Sequence, residues 1–180
     1  MSIREKANLN LIHQHELEDI LDLLKENSMD SVLINKKDPI TYRLFHTWET
    51  GKRVCLHKML RGSVPPHPHK YNVRVLILSG RYKHEICYPI ISPNQTYIDR
   101  VYSETCISGS QYHIDRSNTH HSLEILNPTY SIMFNDYNFN ESHPSCKTVE
   151  GKGFKEIPEG EKYVLEREFQ ELIEEYIERM

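Results

Sequence analysis

The sequence predicts an all-β barrel or sandwich flanked by N- and C-terminal α-helices. Two observations carry the prediction. About eight short β-branched or aromatic runs follow one another at spacings near ten residues between residues 41 and 134. An amphipathic helical stripe lies on either side of them.

The first stripe is in the segment 15–27, where Leu17, Ile20, Leu21 and Leu24 fall at i, i+3, i+4 and i+7 on one helical face. Packing against the same domain is its ordinary role. The strand runs are 41–48, 53–60, 73–78, 82–88, 97–102, 112–114, 121–126 and 130–134. Turn signals separate them, among them Gly51, Ser79 with Gly80, Pro93 with Asn94, Gly109, and Asn127 with Pro128. After Tyr137 the chain turns polar and carries Gly151, Gly153, Pro158 and Gly160. A last helix, Lys162 to Met180, places Leu165, Phe169, Leu172, Ile173, Tyr176 and Ile177 on one face. It docks either on its own barrel or on a second subunit, which would make a homodimer. The expected division is a helical segment over 1–40, a barrel over 41–140 and an arm with an acidic helix over 141–180, all one structural domain.

Composition narrows the function classes. Apolar residues at 38% and charged residues at 27% describe a soluble globular chain. No run approaches the roughly 20 apolar residues of a membrane span, and the N-terminus lacks a signal-peptide apolar region, so a cytoplasmic location is expected. Cys55, Cys87, Cys106 and Cys146 are scattered and read as reduced thiols. The net charge of −4 sits at the C-terminus, where residues 155–180 hold nine Glu against four Lys or Arg. The remainder is balanced, and no basic patch points to nucleic acid.

Histidine is the outlier. Six of the 11 lie between residues 67 and 121, at 67, 69, 84, 113, 120 and 121. His67 and His69 are two apart in an extended run, so their side chains share a face and can reach one metal ion. Two imidazoles do not hold a divalent transition ion firmly, and at least one further ligand is required.

These residues resemble the cupins. Their first motif reads G-x5-HxH-x(3,4)-E-x6-G, and here Gly62 lies one residue closer to His67 than that spacing, while His69 fits and Gly80 closes the motif. Their second reads G-x5-P-x-G-x2-H-x3-N, and Gly109 to His120 keeps its full spacing, with Asp115, Ser117 and Glu124 at the Pro, Gly and Asn places. The resemblance implies a double-stranded β-helix, a jelly-roll barrel, with His67, His69 and His120 as metal ligands. The acidic ligand of the motif would fall at Val73 or Arg74, and neither coordinates, which leaves a three-histidine site.

That subtype is similar to the thiol dioxygenases, cysteine dioxygenase among them. Arg43, on the run before Gly51, matches the arginine that anchors the substrate carboxylate, and Tyr137 matches the catalytic tyrosine. Arg74 stands where some members carry a cross-linking cysteine. It is either a second pocket cation or a strand residue paired with an acidic neighbour outside the barrel. The implied cofactor is Fe2+, with Zn2+, Mn2+ or Ni2+ as alternatives. The implied reaction is oxygenation by O2 of a small thiol- or amine-bearing carboxylate. A Lewis-acid lyase or isomerase, or a non-catalytic binding module, is the alternative. His84 and His113 are either partners of the ligand rings or surface strand residues, and His121, next to a ligand, is expected on the opposite strand face.

Overall fold

The computed structural model describes residues 12–34, 40–68, 72–92, 95–114, 120–135 and 154–180, with the side chains of 88–98 outside the description. The helices are α1, Gln14–Lys25, and α2, Glu159–Ile177. The strands are β1 Asp30–Ile34, β2 Thr41–Thr47, β3 Arg53–Met59, β4 Gly62–Pro68, β5 Val73–Ser92, β6 Gln95–Ile107, β7 Gln111–Ile114, β8 His120–Asn135 and β9 Phe154–Lys155. All strand pairs are antiparallel.

Two long strands generate the barrel. The first part of β5 and the second part of β8 pair with each other, with Val73 opposite Asn135, and β7 and β3 extend that sheet to either side. The second part of β5 and the first part of β8 pair again, with Cys87 opposite His120, and β6 and β4 flank them. The result is a jelly-roll of two sheets sharing bent strands, as the sequence predicts. Strand β1 lies within the segment expected to be helical; its Val32, Leu33 and Ile34 extend the sheet by pairing with Arg43, Tyr42 and Thr41.

The bend is enforced at Gly80. Its φ is +86°, and a Cβ there would lie 2.2 Å from the Pro128 carbonyl oxygen and 2.7 Å from Thr129 Cα. Register shifts between Ile77 and Tyr82 accompany it, so the inward face passes from odd to even residues along β5. Val73, Val75 and Ile77 before the bend and Tyr82 after it share one interior core with Met59, Cys106, Ile114, Leu123 and Ile125.

The opposite face of the β3 sheet is covered by the helices. Leu17, Ile20, Leu21 and Leu24 of α1 and Leu165, Phe169 and Ile173 of α2 pack on Leu44, Val54, Leu56, Leu76, Ile132 and Phe134. Polar contacts hold both helices in place. Lys58 donates to both oxygens of Glu168 at 2.8 and 2.7 Å and lies over the Tyr130 ring, so α2 docks on its own barrel. Arg74 donates to Glu16 of α1 at 2.9 and 3.1 Å and lies over Phe134. Of the two roles open to Arg74, the structure favours the ion pair, because strand alternation turns it toward α1 while Val73 and Val75 face the interior. No helix among the described residues is long and apolar enough to cross a membrane.

Gly80→Ala combines a left-handed backbone with overlap onto backbone atoms, and should cost at least about 2 kcal/mol, read as a lowered urea midpoint. Burial pushes the Glu16 carboxyl up, but the Arg74 hydrogen bonds, the His13 amide and the Arg74 charge outweigh it, and the net displacement is below the ordinary 4.5. The folded carboxyl therefore binds its proton less readily than the unfolded one. Its stabilisation is present above the ordinary value and is lost as pH falls through the lowered one, and Glu16→Gln should remove that part of the acid limb of a stability profile.

Candidate metal centre

The interior face of the β4, β8, β5, β6 sheet carries polar side chains from every strand, among them His67, His121, His84, and Glu104 with Cys106. His67 arrives through a bulge. Val64 lies opposite Leu123 and His67 opposite His121, so two residues of β4, Pro65 and Pro66, face one of β8. The extra residue restores His67 to the interior side, and a bulge is where prolines, lacking an N–H, do least harm to the ladder.

His67 is held in one tautomer. Its Nδ1–H donates to the Pro65 carbonyl at 2.9 Å, which leaves the lone pair on Nε2. That Nε2 lies 3.1 Å from Nε2 of His121. Nδ1 of His121 in turn lies 3.1 Å from Nε2 of His84, and Nδ1 of His84 lies 3.7 Å from Glu104, too long for a hydrogen bond but an electrostatic contact. Tyr102 donates to the other Glu104 oxygen at 2.8 Å. The Tyr112 ring stacks on His84 with 4.3 Å between centroids, and its hydroxyl shares a 2.7 Å hydrogen bond with that of Tyr82.

Burial favours the neutral forms of His67, Cys106, Tyr82 and Tyr112. Burial lowers the affinity of His67 for a proton, the Pro65 carbonyl opposes this, and His120 lowers it further. Burial and Glu104 push the Cys106 thiol up to about 12. The Tyr112 and Tyr82 hydroxyls are raised, chiefly by burial. Glu104 is the anionic end: His84 beside it lowers its pKa, burial opposes, and the Tyr102 hydroxyl adds to the lowering.

The donor set suits a divalent transition metal. Metal–nitrogen bonds of about 2.1 Å at adjacent coordination positions place two ligand atoms roughly 3 Å apart. The two facing Nε2 atoms have that separation, and each ring has a partner on its other nitrogen, as ligand imidazoles do. A further group, His84, Glu104 and Cys106, brings its ligand atoms within 4.8 Å of one another.

Of the residues expected from the sequence, His67 is in the row, while His69 and Tyr137 lie outside the described residues. The ring whose Nε2 faces that of His67 is His121, while His120 bears on His67 electrostatically. His121 is 4% exposed, whereas half-buried His120 sits opposite Pro68 and Cys87. His84 is buried and not a surface residue, and His113 is exposed. Arg43 faces the interior side, donating from Nε to Nε2 of His57 at 2.8 Å, and His57 alternates with the interior Met59. Arg74 belongs to α1, as described above. Glu104 and Cys106 went unread, although Tyr102, Glu104 and Cys106 alternate along one strand and so share a face.

No family model and no curated protein matches the chain. Solved structures resemble it distantly. KdgF from Halomonas sp. is 13% identical with a TM-score of 0.46, over 64% of this chain and 95% of that one. Oxalate decarboxylase from Bacillus subtilis is 14% identical with a TM-score of 0.46, over 68% of this chain and 30% of that one, so this chain spans under a third of that enzyme. The hydroquinone 1,2-dioxygenase PnpCD is 12% identical with a TM-score of 0.39, over 49% of this chain and 59% of that one. Likeness at this level says nothing of substrate or reaction, and the jelly-roll assignment stands on the strand order.

Tyr82→Phe removes a hydroxyl that is 0% exposed and leaves Tyr112 without that partner. The expected cost is about 1 kcal/mol, a melting-temperature drop of roughly 2–4 °C by calorimetry.

Proposed function

We propose that the chain is a metal-dependent enzyme of the cupin type, a mononuclear Fe(II) oxygenase acting with O2 on a small thiol- or amine-bearing carboxylate. The observation that carries the reading is the pair of Nε2 atoms of His67 and His121, 3.1 Å apart and each backed through Nδ1. His69, on the same motif as His67, is the proposed third ligand, and His121 takes the place first given to His120. Zn2+, Mn2+ or Ni2+ would fit the same imidazoles. Bound there, Fe(II) would supply redox chemistry toward O2 and open positions for a chelating substrate.

The chain's own residues supply the rest. Arg43 pairs with the substrate carboxylate through its planar guanidinium, and its Nε bond to His57 fixes the direction in which it points. The apolar interior of Val73, Val75, Leu123 and Ile125 limits water around the reacting atoms. Tyr112, stacked on His84, is placed to hold a proton near the row, and Tyr137 remains the counterpart suggested by the motif resemblance.

Anaerobically purified protein should contain about one iron per chain and consume O2 with cysteine or 3-mercaptopropionate. His67→Ala and His121→Ala should lose iron affinity by at least about 100-fold together with O2 uptake. A His121→Ala variant that keeps both would refute the ligand assignment, and turnover that proceeds unchanged without O2 would replace oxygenation with Lewis-acid chemistry.

A further inference from the structure

Beyond the two facing histidines lies a donor set that belongs to neither sequence motif. His84, Glu104 and Cys106 bring a ring nitrogen, a carboxylate oxygen and a sulfur within 4.8 Å of one another. Register explains the convergence. His84 and Glu104 are direct cross-strand partners, and Cys106, two residues on, points to the same face from its place opposite Tyr82. The His84 side chain is 3% exposed, and its Nδ1 is buried with no hydrogen-bond partner among the described residues. Coordination of a cation at Nδ1 would satisfy that atom. The Tyr102 hydroxyl, 2.8 Å from Glu104, would orient the carboxylate from behind.

We propose that His84, Glu104 and Cys106 form a second metal position, of nitrogen, oxygen and thiolate donors suited to Zn2+ or Co2+, and that filling it excludes an ion between His67 and His121. The second position stands on its own three residues; only the exclusion rests on the function proposed above.

The exclusion follows from counting protons along the row. A neutral imidazole carries one N–H. When His84 coordinates through Nδ1, its proton is on Nε2 and is donated to Nδ1 of His121 across 3.1 Å. His121 then carries its own proton on Nε2, donates it to His67 across 3.1 Å, and has no lone pair there for a metal. When His121 coordinates through Nε2 instead, its proton moves to Nδ1 and is donated to His84. The His84 proton then occupies Nδ1, facing Glu104, and closes the second position. A metal thiolate also requires Cys106 to lose its proton, which a bound divalent ion brings about directly.

Co2+ titration under anaerobic, reducing conditions tests both parts, with visible and near-ultraviolet absorption as the readout. His67→Ala should bind one equivalent and show a thiolate-to-cobalt charge-transfer band. Adding Cys106→Ser to that background should abolish the band, and adding Glu104→Gln, which keeps the thiol, should weaken Co2+ binding at least tenfold. Absence of the band in His67→Ala, its persistence in the Cys106→Ser double variant, or unchanged affinity in the Glu104→Gln one overturns the second position. Wild-type protein should saturate at one equivalent, and two equivalents overturn the exclusion. Failure of the histidine reading has a separate signature, the same band and affinity in His67→Ala as in wild type, because no competing position has then been removed.

Discussion

Strands β5 and β8 each serve both sheets, and everything in the interior depends on how they bend together. At Gly80 the backbone takes a left-handed conformation that brings it against the Pro128 carbonyl, at a distance no side chain would permit. The register shifts there change which residues face inward. Before the bend the odd residues Val73, Val75 and Ile77 face the core, and after it Tyr82 and His84 do. Strand side chains alternate with a period of two, so a single residue of slippage would carry His84 to the outside and break the row.

The same alternation divides the charges. Cations on the helix-covered face, Arg74 and Lys58, meet carboxylates of α1 and α2. The acidic character of the last helix thereby contributes to docking, with Glu168 gripping Lys58 in addition to the apolar stripe. The interior receives imidazoles, hydroxyls, a thiol and the Arg43 guanidinium, with Glu104 at the far end of the row. Burial keeps the His67 ring from taking up a second proton, so its Nε2 lone pair stays open to a divalent cation.

Much of the fold was legible because its signals are local. The stripes of Leu17 to Leu24 and Leu165 to Ile173 required only helical periodicity, and the turn at Gly80 required only a glycine after a β-branched run. Strand β1 was harder, since Val32 to Ile34 is too short to declare itself without its partner β2. His67, singled out by the His-x-His spacing, lies on the interior face, as does Arg43, singled out by the motif resemblance. Arg74 was ambiguous, because the residue that claims it, Glu16, is 58 positions away.

What the sequence determined alone is the architecture class and the close spacing of residues able to bind a metal, since hydrophobic period and ligand spacing are properties of neighbouring residues. Tertiary structure decided which histidines meet. The bulge at Pro65 and Pro66 set His67 opposite His121, and pairing between β5 and β6 set His84 opposite Glu104. Both are matters of register between distant strands, where a shift of one residue exchanges His120 for His121, and the linear sequence carries no direct record of it.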